Sequence, residues 1–237
     1  MASVNAVYST LKDLVNKDQK GFVTPAVFNN LAGIAQINIY NRLFDTLKDA
    51  RRTRRAQFDS GRDKSLEKRI QEDLSSFARN QTITRAGGVF AKPDDLSRII
   101  SATTFGSIVL GQSTRTPIEM LYDEDKIERI LRSNISSPTE SFPIALVSDD
   151  IEVFPQTINR IQLRYYKVPS NPTFAYVTVN GIEIYNATGS VDFDLPDHYS
   201  AMLVTEIAEL IGLNLRDTVV QAFGQGEQVM LTKQQSF

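Results

Sequence analysis

The residues able to do chemistry in this chain are few. His198, in Pro196-Asp197-His198-Tyr199, is the single histidine among 237 residues, and there is no cysteine. A hydrolytic triad needs a nucleophile, a base and an orienting acid held together. No G-x-S-x-G elbow occurs anywhere to supply the first of these. A zinc site would have to be built mostly from carboxylates, against the metal's preference for nitrogen and sulfur. A histidine on the surface or at a helix start is the reading that remains. The carboxylate pairs Asp149-Asp150, Asp123/Asp125 and Asp192/Asp194 could serve glycoside hydrolysis only across a cleft of set width. Acids at such spacing are ordinary turn formers. Gly224-Gln225-Gly226 lacks the strand–helix context of a phosphate loop, and G-x-x-x-x-G-K is absent from the sequence. The expectation is a protein that is not an enzyme, with no catalytic, cofactor-binding or metal-binding residue and no cofactor.

The segment Asn16-Lys17-Asp18-Gln19-Lys20-Gly21-Phe22-Val23-Thr24 imitates a calcium loop. Asn16, Asp18 and Gly21 fall where two ligands and the turn glycine would sit. Calcium needs a cage of hard oxygens closed by an acidic residue at position twelve. Lys20 at position five and Val27 at position twelve defeat that, so a helix–turn–helix connection is expected instead.

The run Arg51-Arg52-Thr53-Arg54-Arg55 is the one feature in the sequence suited to phosphates. Between Lys48 and Arg69, nine cations face four acids. Arginine runs bind nucleic acid through counterion release. Only Phe58 interleaves an aromatic ring, and acids are scattered through the segment. Arg51, Arg52, Arg54 and Arg55 are therefore candidates either for a DNA-channel contact or for a solvated helix end or salt-bridged subunit interface, and the latter reading is preferred.

These candidates sit on a chain of globular composition, 41% hydrophobic with a net charge of −2. The near-neutral charge gives no global pull toward nucleic acid or an anionic membrane. Without cysteine, disulfides and thiolate sites are excluded, and cytosolic folding is the natural expectation. Met1-Ala2-Ser3-Val4-Asn5 does not look like a secretory signal. No run of about 18 apolar residues is present to span a bilayer. The absence of Trp beside 13 Phe and 8 Tyr leaves the core aromatics to those two types.

The elements that must position these residues follow from periodicity. Val4, Val7, Tyr8, Leu11, Leu14 and Val15 share one helical stripe. Thr24-Pro25 reads as a cap with proline at the first helical position. Phe28, Leu31, Ala32, Ala35, Ile39, Leu43, Phe44 and Leu47 form the second stripe. A break around Asp59-Ser60-Gly61 precedes a third helix starting near Ser65 and running through Ile70, Leu74 and Phe77. Strands are expected at Val89-Phe90, 108–110, 144–147, 151–154 and 161–166, punctuated by Pro143, Pro155, Pro169 and Pro172. Asn180-Gly181 turns a hairpin between Val177 and Tyr185, and a short helix spans Glu124 to Arg132. A helix opening near Asp194 buries Tyr199, Leu203, Val204, Ile207, Ala208, Leu210 and Ile211. Gly212 marks its end, and Thr218 to Phe223 forms a last short helix. The tail from Gly224 to Phe237 carries four glutamines and two glycines, with Val229, Met230, Leu231 and Phe237 as apolar anchors. It is expected to order only on docking against a partner.

Several of these pieces resemble one family. Val7-Tyr8 through Leu14, the 16–22 loop, Thr24-Pro25 and Phe28-Asn29 look like the opening of ring-forming virion proteins of crAss-like and related Bacteroidetes phages. Tyr165-Tyr166-Lys167-Val168-Pro169-Ser170-Asn171-Pro172-Thr173-Phe174 resembles the family's paired-proline strand end. Leu195-Pro196-Asp197, the helix from Leu203 to Leu210 and Gly212-Leu213-Asn214-Leu215-Arg216-Asp217 are similar too. The middle resembles head-to-tail adaptors of short-tailed phages, in which a β module interrupts a helical bundle.

The resemblance implies an α+β fold. N-terminal helices over 1–80 and C-terminal helices over 191–223 would make a bundle. An antiparallel β module would be inserted over 81–190, and 224–237 would form a docking tail. It implies a head-to-tail connector ring of identical subunits, a dodecamer, beneath the portal. Portal protein, neighbouring tail or ring proteins and genomic DNA passing through the channel without sequence-specific binding would be its partners, with no membrane. It would be made in the host cytoplasm and located at the head–tail junction of the virion. Another tail or baseplate component is the alternative.

Overall fold

A computed structural model of the chain describes residues 1–17, 23–56, 61–105, 108–109, 112–113, 115–180 and 182–215. Its helices are α1 (Val4–Lys17), α2 (Pro25–Ala56), α3 (Gly61–Asp73), α4 (Glu124–Leu131) and α5 (Ser200–Leu215). The first strands are β1 (Ala78–Thr84), β2 (Leu96–Thr104), β3 (Ile108–Val109), β4 (Gln112–Ser113) and β5 (Pro117–Leu121). There follow β6 (Ile144–Val147), β7 (Ile151–Phe154), β8 (Arg160–Lys167), β9 (Tyr176–Val179) and β10 (Ile182–Tyr185). The fold is mixed α+β.

The chain divides into two compact units. One joins Met1–Ser76 to Pro169–Phe237, and the other is the uninterrupted stretch Phe77–Val168. The β9–β10 hairpin, expected within the β module, belongs instead with the helices.

In the helical unit, α2 packs against α3 and α5, and α1 packs against α5. Thr24 Oγ1 accepts from Val27 N at 3.3 Å, which makes the expected N-cap. Asp192 supplies the same service to α1 from far along the chain, accepting from Val4 N at 2.8 Å. Phe28, Ile39, Leu11, Leu74, Leu195, Leu203 and Phe193 are fully buried. Tyr8, Phe28, Phe174 and Tyr185 make an aromatic cluster, with Phe174 centred 4.3 Å from Tyr8 and 5.2 Å from Tyr185. A Cβ at Gly33 of α2 would meet Asn171 Oδ1, so glycine permits the proline-rich segment to lie close. The last helix continues through Gly212 to Leu215 rather than ending at the glycine. The short helix expected over 218–223 and the tail lie outside the described residues.

In the inserted unit, six strands run in the order β1-β8-β2-β5-β6-β7. The pairs are antiparallel except β5 with β6, which is parallel, a departure from the all-antiparallel expectation. The sheet curls, and the segment that follows β1 reaches the strand at its other end. The chain leaving β1 turns at Gly87 and Gly88, both at positive φ, and Phe90 exchanges two backbone hydrogen bonds with Ile151 of β7. Val89-Phe90 is thus a pair of isolated bridges rather than a strand. Phe90, Ala102, Ala145, Ile151, Val153, Ile161, Leu163 and Tyr165 fill the interior. On the outside, α4 covers the β5–β7 end through Ile127 against Leu121, Ile144 and Leu146.

Candidate functional site

Several of the candidate carboxylates and the histidine make contacts within the fold. Asp123 caps α4, accepting from Lys126 N at 3.4 Å. Asp149 and Asp150 form the turn between β6 and β7, closed by Ser148 N donating to Asp150 O. Asp194 is buried, and its Oδ2 accepts from Ser170 N at 2.7 Å and Ser170 Oγ at 2.6 Å. The backbone N–H of Asp194 donates to Oε1 of fully buried Gln36, whose Nε2 donates to Ser170 O at 2.7 Å. His198 Nε2 lies 3.2 Å from Asp73 Oδ1, while Asp73 Oδ2 accepts from Tyr199 OH at 2.8 Å. Burial first, then that hydrogen bond, raises the Tyr199 pKa. Among the described residues no group of three or more acids and histidines could hold a metal ion. No helix there is long and apolar enough to cross a membrane. Residues 18–22 of the calcium-like loop lie outside the described residues.

The basic run falls at the C-terminal end of α2, where positive charge complements the helix dipole. Arg51 Nε donates to Glu67 Oε1 of α3 at 3.0 Å, so it is used within the chain. Arg52 lies 3.9 Å from Asp49 on the exposed helix surface. The side chains of Arg54 and Arg55, and tail residues Val229, Met230, Leu231 and Phe237, lie outside the described residues.

Two apolar surfaces stand out. In the helical unit, β9 and β10 pair in two-residue-turn register, Val179 opposite Ile182, with Asn180 at φ 50 in the turn. The hairpin is anchored by Tyr185 against Phe174. Val177, Val179 and Ile184 are about half exposed, and Tyr176 is 40% exposed. Exposed β-branched residues on a two-stranded ribbon are suited to pairing with another chain. In the inserted unit, Ile135 (97% exposed) and Phe142 (79% exposed) rim an open groove of about 650 Å³ between the α4–β6 connection and β5.

A third surface is polar, and periodicity alone did not flag it. On β8, Ile161, Leu163 and Tyr165 point into the core, so Arg160, Gln162, Arg164 and Tyr166 point out. Register places Asn80, Thr82 and Thr84 of β1 on one side of these residues and Arg98, Ser101 and Thr103 of β2 on the other. Arg98, Arg160 and Arg164 are exposed. The Arg160 guanidinium lies 4.4 Å from the Phe105 ring centre.

No protein-family description and no curated protein matches this chain.

Proposed function

We propose that the chain is a structural, non-enzymatic subunit of a tailed-phage virion. It forms a ring at the head-to-tail connector beneath the portal, with genomic DNA passing through the central channel. The observation that carries this reading is the insertion of the β unit, Phe77–Val168, between the two halves of a helical unit. That is the chain order the resemblance to connector proteins implies. In this reading the helical unit is the bundle of the ring wall. The exposed apolar hairpin supports it further: identical subunits close into a ring through a heterologous contact, and such a contact needs apolar surface that a lone monomer leaves in water. The apolar residues of the C-terminal tail would dock on the portal.

Imaging of intact particles with density assigned to this chain tests the proposal. A ring of copies at the head–tail junction is the expected result. Density in a baseplate or distal tail ring would transfer the chain to the alternative reading. Absence from the particle would overturn both. Deleting Gly224–Phe237 is expected to leave the folded units intact and weaken attachment to the portal.

A further inference from the structure

We infer that the outer face of β1, β8 and β2 is a phosphate-contacting surface for duplex DNA, with Arg98, Arg160 and Arg164 as its cations. This deepens the connector reading and rests on it for the presence of duplex DNA, while naming which surface meets it.

The three arginines come from two adjacent strands and one face. Arg160 and Arg164 are four residues apart on β8, about 13 Å at the usual strand rise. Arg98 stands opposite Tyr166, the next outward position along β8, on a strand about 5 Å away. Among the described residues neither Arg160 nor Arg164 makes an ion pair, whereas Arg51 is held by Glu67. The remaining side chains of the patch, such as Asn80, Thr82 and Gln162, are neutral hydrogen-bonding groups. Glu119 of β5, exposed on the far side of β2, is an acid that borders it. In a chain of net charge −2, such a face is a local positive field, complementary to a polyanion.

The choice of duplex over single strand follows from the rings. Single-strand platforms stack bases on open aromatic faces. Here Tyr166 is half-buried and Phe105 already has a guanidinium over it. Arginines and hydroxyls without open rings hold a backbone and carry no sequence information, as a passage for DNA of any sequence requires.

The test uses the full chain and a short fluorescent duplex, with anisotropy followed as salt is raised. Three phosphate contacts give a slope of log K against log salt near −2.7, or about a 40-fold loss between roughly 50 and 200 mM. Replacing all three by Gln (R98Q, R160Q, R164Q) should flatten the slope, each arginine accounting for about one unit. Replacing them by Lys should retain it, because phosphate is read as charge; this separates loss of contact from loss of fold. Glu119→Gln should tighten binding. An unchanged slope in the Gln variant, no binding by the wild type, or binding of single strands at least as tight as duplex would each overturn the inference. Electron microscopy of the same samples reads ring formation independently. Intact rings without duplex binding would remove this surface alone, whereas failure of the connector reading would show as the chain's absence from the head–tail junction.

Discussion

Arg42 of α2 and Glu206 of α5 meet at 2.9 Å, with the carboxylate almost wholly buried and the guanidinium about one-third exposed. Asn38 Nδ2 donates to the other carboxylate oxygen, also at 2.9 Å. Two helices from opposite ends of the sequence are thus joined through one acid. Burying a charge is costly unless it is paired, and removing one partner leaves the other without compensation. Arg42→Ala is expected to destabilise the helical unit by about 2 kcal/mol, less than a fully buried pair because water can reach the site. Replacing Glu206 by Gln in the same variant should recover part of the loss. Urea unfolding followed by circular dichroism measures both. Nearby, burial and the charge of Glu206 raise the Glu209 pKa against the opposing effect of Arg42.

In the curled sheet, Arg85 is one of the side chains that tie the segment after β1 to the β6–β7 end, as Lys92 does through Ser148 O. Arg85, just after β1, donates to Ile158 O at 2.9 Å, Gly88 O at 2.6 Å and Val153 O at 2.7 Å, and lies 5.0 Å from the Phe90 ring centre. A lysine cannot reach three carbonyls with one planar fork. Arg85→Lys should therefore cost about 2 kcal/mol, chiefly through carbonyls left unsatisfied. Hydrogen exchange should show the Phe90 and Ile151 amides opening first.

Alkali should loosen the inserted unit through Tyr165. Its hydroxyl donates to Asp95 Oδ1 at 2.7 Å. Burial, then that hydrogen bond, pushes its pKa from 10.0 up to about 12. The fold favours the neutral phenol, so this contribution is complete below pH 10 and is lost as pH rises through about 12. Tyr8 in the helical unit is also raised to about 12, by burial and then by the charge of Glu183. Absorbance of the phenolates should therefore lag behind that of exposed tyrosines. Tyr165→Phe should make the inserted unit less sensitive to pH in that window.

Association should depend on the hairpin. Val177→Thr with Val179→Thr keeps β-branched shape and strand propensity but places hydroxyls on the exposed surface. The expected outcome is unchanged circular dichroism and a tenfold or greater weakening of self-association by analytical ultracentrifugation, about 1.4 kcal/mol. Unaltered association would place the subunit contact elsewhere.

The helices were legible because their cores follow one period: Val4, Val7, Tyr8 and Leu11 predict α1, and the structure buries all four. Strands β1 and β2 were not legible. β1 is a polar edge strand with one residue, Ile83, packed toward the core. On β2 the inward residues are Leu96, Ile99, Ala102 and Thr104, spaced three, three and two. Two bulges, at Ser97 and Ile100, absorb the extra residues against β8. An alternating template cannot find such a strand. Arg98 was missed with it, so the arginines of the sheet face stayed invisible while the contiguous run at 51–55 drew notice. Strand alternation on β8 does put Arg160 and Arg164 on one face, and that was the available signal.

The inserted unit begins and ends on paired strands, Ala78 lying opposite Tyr166. Its two ends are therefore neighbours about 5 Å apart. To the helical chain, the whole of Phe77–Val168 spans no more space than a tight turn. Such a unit is a cassette: it can lengthen, shrink or be exchanged without changing the distance its host must bridge. Natural variation in size should accumulate between Ser76 and Pro169, and a short Gly-Ser bridge between those two residues is the smallest member of the series.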